Sequence, residues 1–117
     1  MQQPVVVRSP HLHLSSPQHD LIDQLARKLE RHYPRLVGCE VSVEPPPGSH
    51  RSGGPYEVRV DVKVPGQDLH VSGSHESTLE GALRGAFAAA TRRLEDFAQM
   101  QRHETKRHEP GPREIQT

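Results

Sequence analysis

An α/β fold, a two-layer sandwich with element order β-α-β-β-β-α, is what this sequence predicts, and three observations predict it. Residues 56–64 alternate Tyr, Glu, Val, Arg, Val, Asp, Val, Lys and Val, the two-residue period of a strand with one face buried and one in water. Leu79, Leu83, Ala86, Ala90, Leu94 and Phe97 recur at spacings of three and four, and at about 100° per residue they form one narrow apolar stripe on a helix. Leu21, Ile22, Leu25 and Leu29 make a similar stripe between two β-branched runs. The first two strands then lie parallel across a right-handed helical crossover, and the rest form an antiparallel meander. Because Glu57, Arg59, Asp61 and Lys63 on the long strand are all charged, both helices are expected on the same face of a four-stranded mixed sheet.

In chain order, Val5, Val6 and Val7 are bounded by prolines and read as a first strand. Ser16 before Pro17 is a helix-start signal, since proline suits a first turn where its missing N–H costs nothing. That helix should run to about Tyr33 and stop at Pro34. Residues 39–44 alternate with Cys39, Val41 and Val43 inward. The segment 45–55, rich in proline and glycine, is loop by composition and long for a hairpin, which marks it as mobile or functional. After the strand at 56–64, Pro65-Gly66 turns the chain and residues 69–73 return as the fourth strand. Ser77 with Glu80 matches a capping box opening the second helix, which the apolar period carries to Gln101. Its flank carries Ala82, Gly85 and Ala89, small enough for another helix to approach. The domain is therefore expected over residues 1–101, with 102–117 a polar, disordered tail.

Composition narrows the function. In 117 residues only 32% are hydrophobic and 3% aromatic, which predicts a thin core. Lysine and arginine (15) balance aspartate and glutamate (15), so no global field attracts a polyanion and any such binding must rest on local patches. Nine histidines add positive charge on acidification. The single cysteine, Cys39, forbids an internal disulfide and fits a reducing compartment. No signal-peptide pattern or membrane-length apolar run is present. A cytoplasmic protein without membrane partners is expected.

Catalysis finds little support. Cys39 falls on the buried side of a strand, and His11, His13, His70 and His75 form no nucleophile, base and acid set at a strand end. His103 and His108 frame H-E-x-x-x-H, one residue too long for a zinc-protease helix; the extra residue turns the imidazoles about 140° apart. His11-x-His13 has no suitable third ligand nearby. No enzyme, cofactor, metal or small-molecule substrate is predicted.

The basic residues are more suggestive. Arg84, Arg92 and Arg102 lie opposite the apolar stripe of the second helix, Arg93 lies near its margin, and Arg27, Lys28 and Arg31 flank the first. Two such ridges suit the backbone of a duplex or folded RNA, although arginines interleaved with Glu95 and Asp96 also describe an ordinary solvated helix face. The few aromatics provide no platform for stacking single strands.

The element order, together with HVSGSHESTLEGALRGAFAAATRRLEDFAQ, resembles the ribosome hibernation-promoting factor and ribosome-associated inhibitor family, also called sigma-54 modulation proteins. The resemblance covers about residues 4 to 101 and is most specific at Ser72-Gly73-x-His75-Glu76 and at Arg92, Arg93 and Leu94. It implies a fold like double-stranded-RNA-binding domains. It also implies binding to ribosomal RNA of the small ribosomal subunit, occlusion of the decoding channel, and silencing of idle ribosomes under stress. Carried onto this chain, the RNA-binding positions are Arg27, Lys28, Arg31, Arg84, Arg92, Arg93 and Arg102. The oligomeric state stays open, a monomer included. The alternative is a divergent protein-interaction module of the same fold without RNA binding, motivated by the neutral charge and Ser74, with the loop around His50 to Gly54 as its contact.

Overall fold

The computed structural model describes residues 1–46 and 55–107, the side chains of 72–75 and 103–107 excepted. Its elements are β1 (Val6–Arg8), α1 (Ser16–His32), β2 (Gly38–Glu44), β3 (Tyr56–Val64), β4 (Gln67–Glu76) and α2 (Leu79–Arg107). They form one four-stranded sheet in the order β1-β2-β3-β4. β1 pairs parallel with β2, and β2 with β3 and β3 with β4 pair antiparallel. This is the β-α-β-β-β-α sandwich expected.

β2 and β3 place Cys39 opposite Val62, Val41 opposite Val60 and Val43 opposite Val58. All six are buried. Ile22, Ala26 and Leu29 of α1 and Leu83, Ala86, Ala90 and Leu94 of α2 complete the same core. The other sheet face carries the intervening Glu40, Ser42, Glu44, Glu57, Arg59, Asp61 and Lys63, partly or fully exposed. One face is apolar and one charged, so both helices share one side. β1 and β4 point the same way through the sheet, and each is followed by a returning helix. The two helices are therefore co-directional, and His32 at the end of α1 meets Glu95 of α2.

The ends of the elements differ in instructive ways from the sequence expectation. The N-cap of α1 is Ser15, not Ser16: its Oγ accepts from the Gln18 N–H at 3.3 Å while Gln18 Oε1 accepts from the Ser15 N–H at 2.8 Å. The true capping box thus uses Gln18, with Pro17 in the first turn. At α2 the cap is Thr78, not Ser77. Thr78 Oγ1 accepts from the Gly81 N–H at 3.1 Å, which makes Glu80 the second helical residue and leaves no Ser77–Glu80 box. A Cβ at position 81 would lie 2.8 Å from that hydroxyl oxygen, so glycine leaves the cap its room.

The hairpin between β3 and β4 closes on Pro65-Gly66, with Gly66 at φ 91°, the left-handed position that follows proline in a type II turn. β4 is longer than residues 69–73. Between Val58 and Val60 the register shifts from Ser74 to Val71, so β4 carries one extra residue at Ser72-Gly73. This bulge lets the strand resume pairing through Glu76 instead of ending at the glycine. Helix α2 likewise continues past Gln101 to Arg107. Its polar last turns propagate on an established helix, where adding a residue costs little. Ala82, assigned to an open flank, is fully buried, and α1 meets α2 on the side of Glu95 and Gln101 rather than that of Gly85 and Ala89. Residues 47–54 and 108–117, which include most of the predicted loop and the end of the tail, lie outside the described residues.

Two outcomes test these assignments. Thr78→Ala should lower stability by about 1 kcal/mol in denaturant unfolding, while Ser77→Ala should change it by less than half as much. The Cys39 thiol is pushed up to about 12 from 9.0, by burial first and then by the negative charges of Asp61 and Glu40. A raised acid favours folding only while the unfolded thiol stays protonated, so this contribution is present below about pH 9 and fades as pH rises toward 12. Cys39→Val should therefore lose less stability than the parent over that interval, read from unfolding midpoints.

Candidate nucleic-acid interface

On α1 the apolar side is set by Ile22, Ala26 and Leu29. Arg27, Lys28 and Arg31 are exposed on the opposite side, within about 100° of one another by helix geometry, with Arg31 central and Lys28 leaning toward α2. On α2, Arg84 and Arg102 are exposed and separated by a whole number of turns, about 27 Å along the axis, so they share one meridian. Glu95 lies close to that meridian, and its pairing with His32 fixes it as the side facing α1. Arg92 is exposed at about 80° from it, on the outer crest.

Arg93 is different. It is exposed but turned about 180° from the Arg84 meridian, onto the flank away from α1. Of the predicted cations, Lys28, Arg31, Arg84, Arg92 and Arg102 therefore share the outer surface of the helix layer, Arg27 leans to its far edge, and Arg93 leaves it.

Charge on this surface is not cancelled by pairing. Among the described residues, none of these lysine and arginine side chains is ion-paired. Carboxylates share the layer: Glu30 pairs with the N-terminal ammonium of Met1, Glu95 contacts the His32 imidazole at 3.2 Å, and Asp23, Glu80 and Asp96 stand one turn from Arg27, Arg84 and Arg92. On the open sheet face acids predominate and pair locally, Arg8 with Glu40, His11 Nδ1 with Glu44 at 3.1 Å, and His70 Nδ1 with Asp61 at 2.9 Å. Glu40 stands directly opposite Asp61, and Glu44 opposite Glu57. Carboxylates are thus in excess on the sheet, while the helices carry unpaired cations interleaved with the acids Asp20, Asp23, Glu30, Glu80, Glu95 and Asp96.

Tyr33 and Phe87 are buried, and Tyr56 and Phe97 partly so, so no aromatic platform faces solvent. Tyr33 packs edge-on against Phe97 with ring centroids 6.2 Å apart, and its hydroxyl donates to Gln101 Oε1 at 3.3 Å. These contacts join the end of α1 to α2. The reading by helical wheel missed Arg35, an exposed cation just past the end of α1. Its only signal was its place after the helix-stopping Pro34. His103, Glu104 and His108 lie outside the described side chains. Among the described residues, no group of three histidine, cysteine or carboxylate side chains is arranged to hold a metal, and no helix is long and apolar enough to cross a membrane.

The architecture has solved counterparts. A ribosomal subunit interface protein from Coxiella burnetii superposes with a TM-score of 0.70 at 8% identity, covering 83% of this chain and 99% of that one. The N-terminal domain of Thermus thermophilus Protein Y superposes at 0.62 with 16% identity, covering 80% and 94%. At such identities the likeness is one of fold. No curated protein matches the sequence. The model of the sigma 54 modulation protein / S30EA ribosomal protein family matches residues 5–104. With nearly the whole α/β domain inside that match, this chain belongs to the sigma 54 modulation protein / S30EA ribosomal protein family.

Proposed function

We propose that this chain associates with the ribosome in the cytoplasm, laying its helix layer on ribosomal RNA of the small subunit and silencing translation by occluding the decoding channel. It acts as a plug and performs no chemistry. Family membership supports the ribosome as the partner. The observation that carries the RNA reading is the set of exposed, unpaired cations on two co-directional helices: Lys28, Arg31, Arg84, Arg92 and Arg102. Phosphates attract such side chains without base contacts, and each phosphate neutralised releases condensed counterions. A neutral molecule can bind this way through local contacts, because these cations make no ion pair among the described residues while the opposite sheet face carries its own excess of carboxylates, Glu40, Glu44, Glu57 and Asp61.

Cosedimentation with purified small ribosomal subunits over a salt series tests this. The logarithm of the binding constant should fall with the logarithm of salt by roughly 0.7 to 0.9 per phosphate neutralised. Lys28→Ala and Arg92→Ala should each weaken binding and reduce that slope by about 1. Arg93→Ala, on the averted flank, and Arg59→Ala, on the sheet face, should leave the slope unchanged. Failure of the folded protein to cosediment at low salt would remove the proposal.

A further inference from the structure

Where α1 ends against α2, two recesses share His32, Tyr33, Ala98 and Arg102 as walls. The inner one, about 420 Å³, also reaches Leu94 and Gln99 and contains the carboxylate of Glu95, already paired with His32. The outer one, about 580 Å³, adds Pro34, Arg35 and Gln101. Its lining holds two guanidinium groups and an imidazole, and no carboxylate. In a chain whose acids equal its bases, a hollow with that balance selects anions. The rest of its lining includes the apolar Pro34 and Ala98 and the ring of Tyr33. Its volume lies within the roughly 300–1,000 Å³ range of small-ligand sites.

Cationic groups beside apolar ones in one hollow fit neither a bare inorganic anion nor a neutral apolar ligand. It fits a flat heterocycle joined to a phosphate. We propose that this cleft binds a single unstacked nucleotide, its base against Pro34 and Ala98 and its phosphate between Arg35 and Arg102. The orientation follows from α1. Backbone carbonyls at a helix C-terminus repel an anion and accept hydrogen bonds, so the phosphate seats toward the arginines and the exocyclic amino group of the base lies nearer the helix end. The amide of Gln101, whose Oε1 accepts from the Tyr33 hydroxyl, supplies a further donor on the α2 wall. The site is separate from the phosphate-contacting crest in kind, because it encloses a base, although it deepens the ribosome reading if the nucleotide belongs to an RNA chain. The same chemistry could come from a free mononucleotide.

The test titrates the full ¹⁵N-labelled chain with adenosine 5′-monophosphate, with a short oligoadenylate, and with adenosine and inorganic phosphate separately. Amide shifts should centre on Tyr33, Arg35, Ala98 and Arg102, and the mononucleotide should bind more tightly than either of its halves. Arg102→Glu should weaken binding by about tenfold or more, the loss expected for one charge-assisted contact. Ala98→Leu should do the same by filling part of the cleft without changing charge; thermal unfolding of both variants confirms that they fold. Tighter binding of oligoadenylate identifies an RNA residue as the occupant, and tighter binding of the mononucleotide a free ligand; both support the site. Shifts confined to the Lys28 and Arg92 crest, or absent with both nucleotides, would overturn it. The ribosome reading would survive that result, since it is decided by cosedimentation and not by nucleotide binding to the isolated chain.

Discussion

The alternation of β3 is the constraint on which the rest depends. Val58, Val60, Val62 and Val64 are buried while Glu57, Arg59 and Lys63 face water, so the sheet has one side that must be covered and one that must not. A small domain with a thin core cannot leave either helix on the charged side. Both pack on the valine face, and because the strands preceding them run the same way, both helices run the same way too. Their outer surfaces then form one continuous layer. Packing, and not any specific polar contact, brings cations from two distant stretches of sequence together.

Charge distribution follows from this layering. The open sheet face gathers carboxylates in directly opposed pairs, Glu40 with Asp61 and Glu44 with Glu57. Like charges across a sheet are unfavourable, and nearby groups offset part of the cost: the Arg8 guanidinium at Glu40, and imidazole hydrogen bonds of His70 with Asp61 and of His11 with Glu44. Basic groups spent on the sheet stabilise that face. The lysine and arginines of the helices make no ion pair among the described residues, so they stay available although acids share those helices.

How much was legible in the sequence depended on whether a pattern was local and periodic. The β3 alternation and the two apolar stripes are strong periodic signals, and their elements appear where they predict. Caps were less legible, since consecutive candidates such as Ser15 and Ser16, or Ser77 and Thr78, differ only in backbone geometry that the helix itself creates. The bulge at Ser72-Gly73 was invisible because it is a property of the pairing with β3, not of β4 alone. In the candidate interface, the wheel placed Arg84, Arg92 and Arg102 on the outward side but could not say which flank meets α1, and this is what separates Arg93 from them. Arg35 belongs to no periodic element, so nothing in a helical pattern could include it.

The topology also orders assembly. The β3–β4 hairpin closes through two residues and α2 begins almost at once after β4, so the C-terminal half is made of contacts between near neighbours, which form with little loss of chain entropy. β1 has only three residues, and its single partner lies across an entire helical crossover. Chain entropy therefore favours nucleation at the hairpin and its following helix, whereas β1 gains its few ladder bonds only after the longer crossover loop is closed.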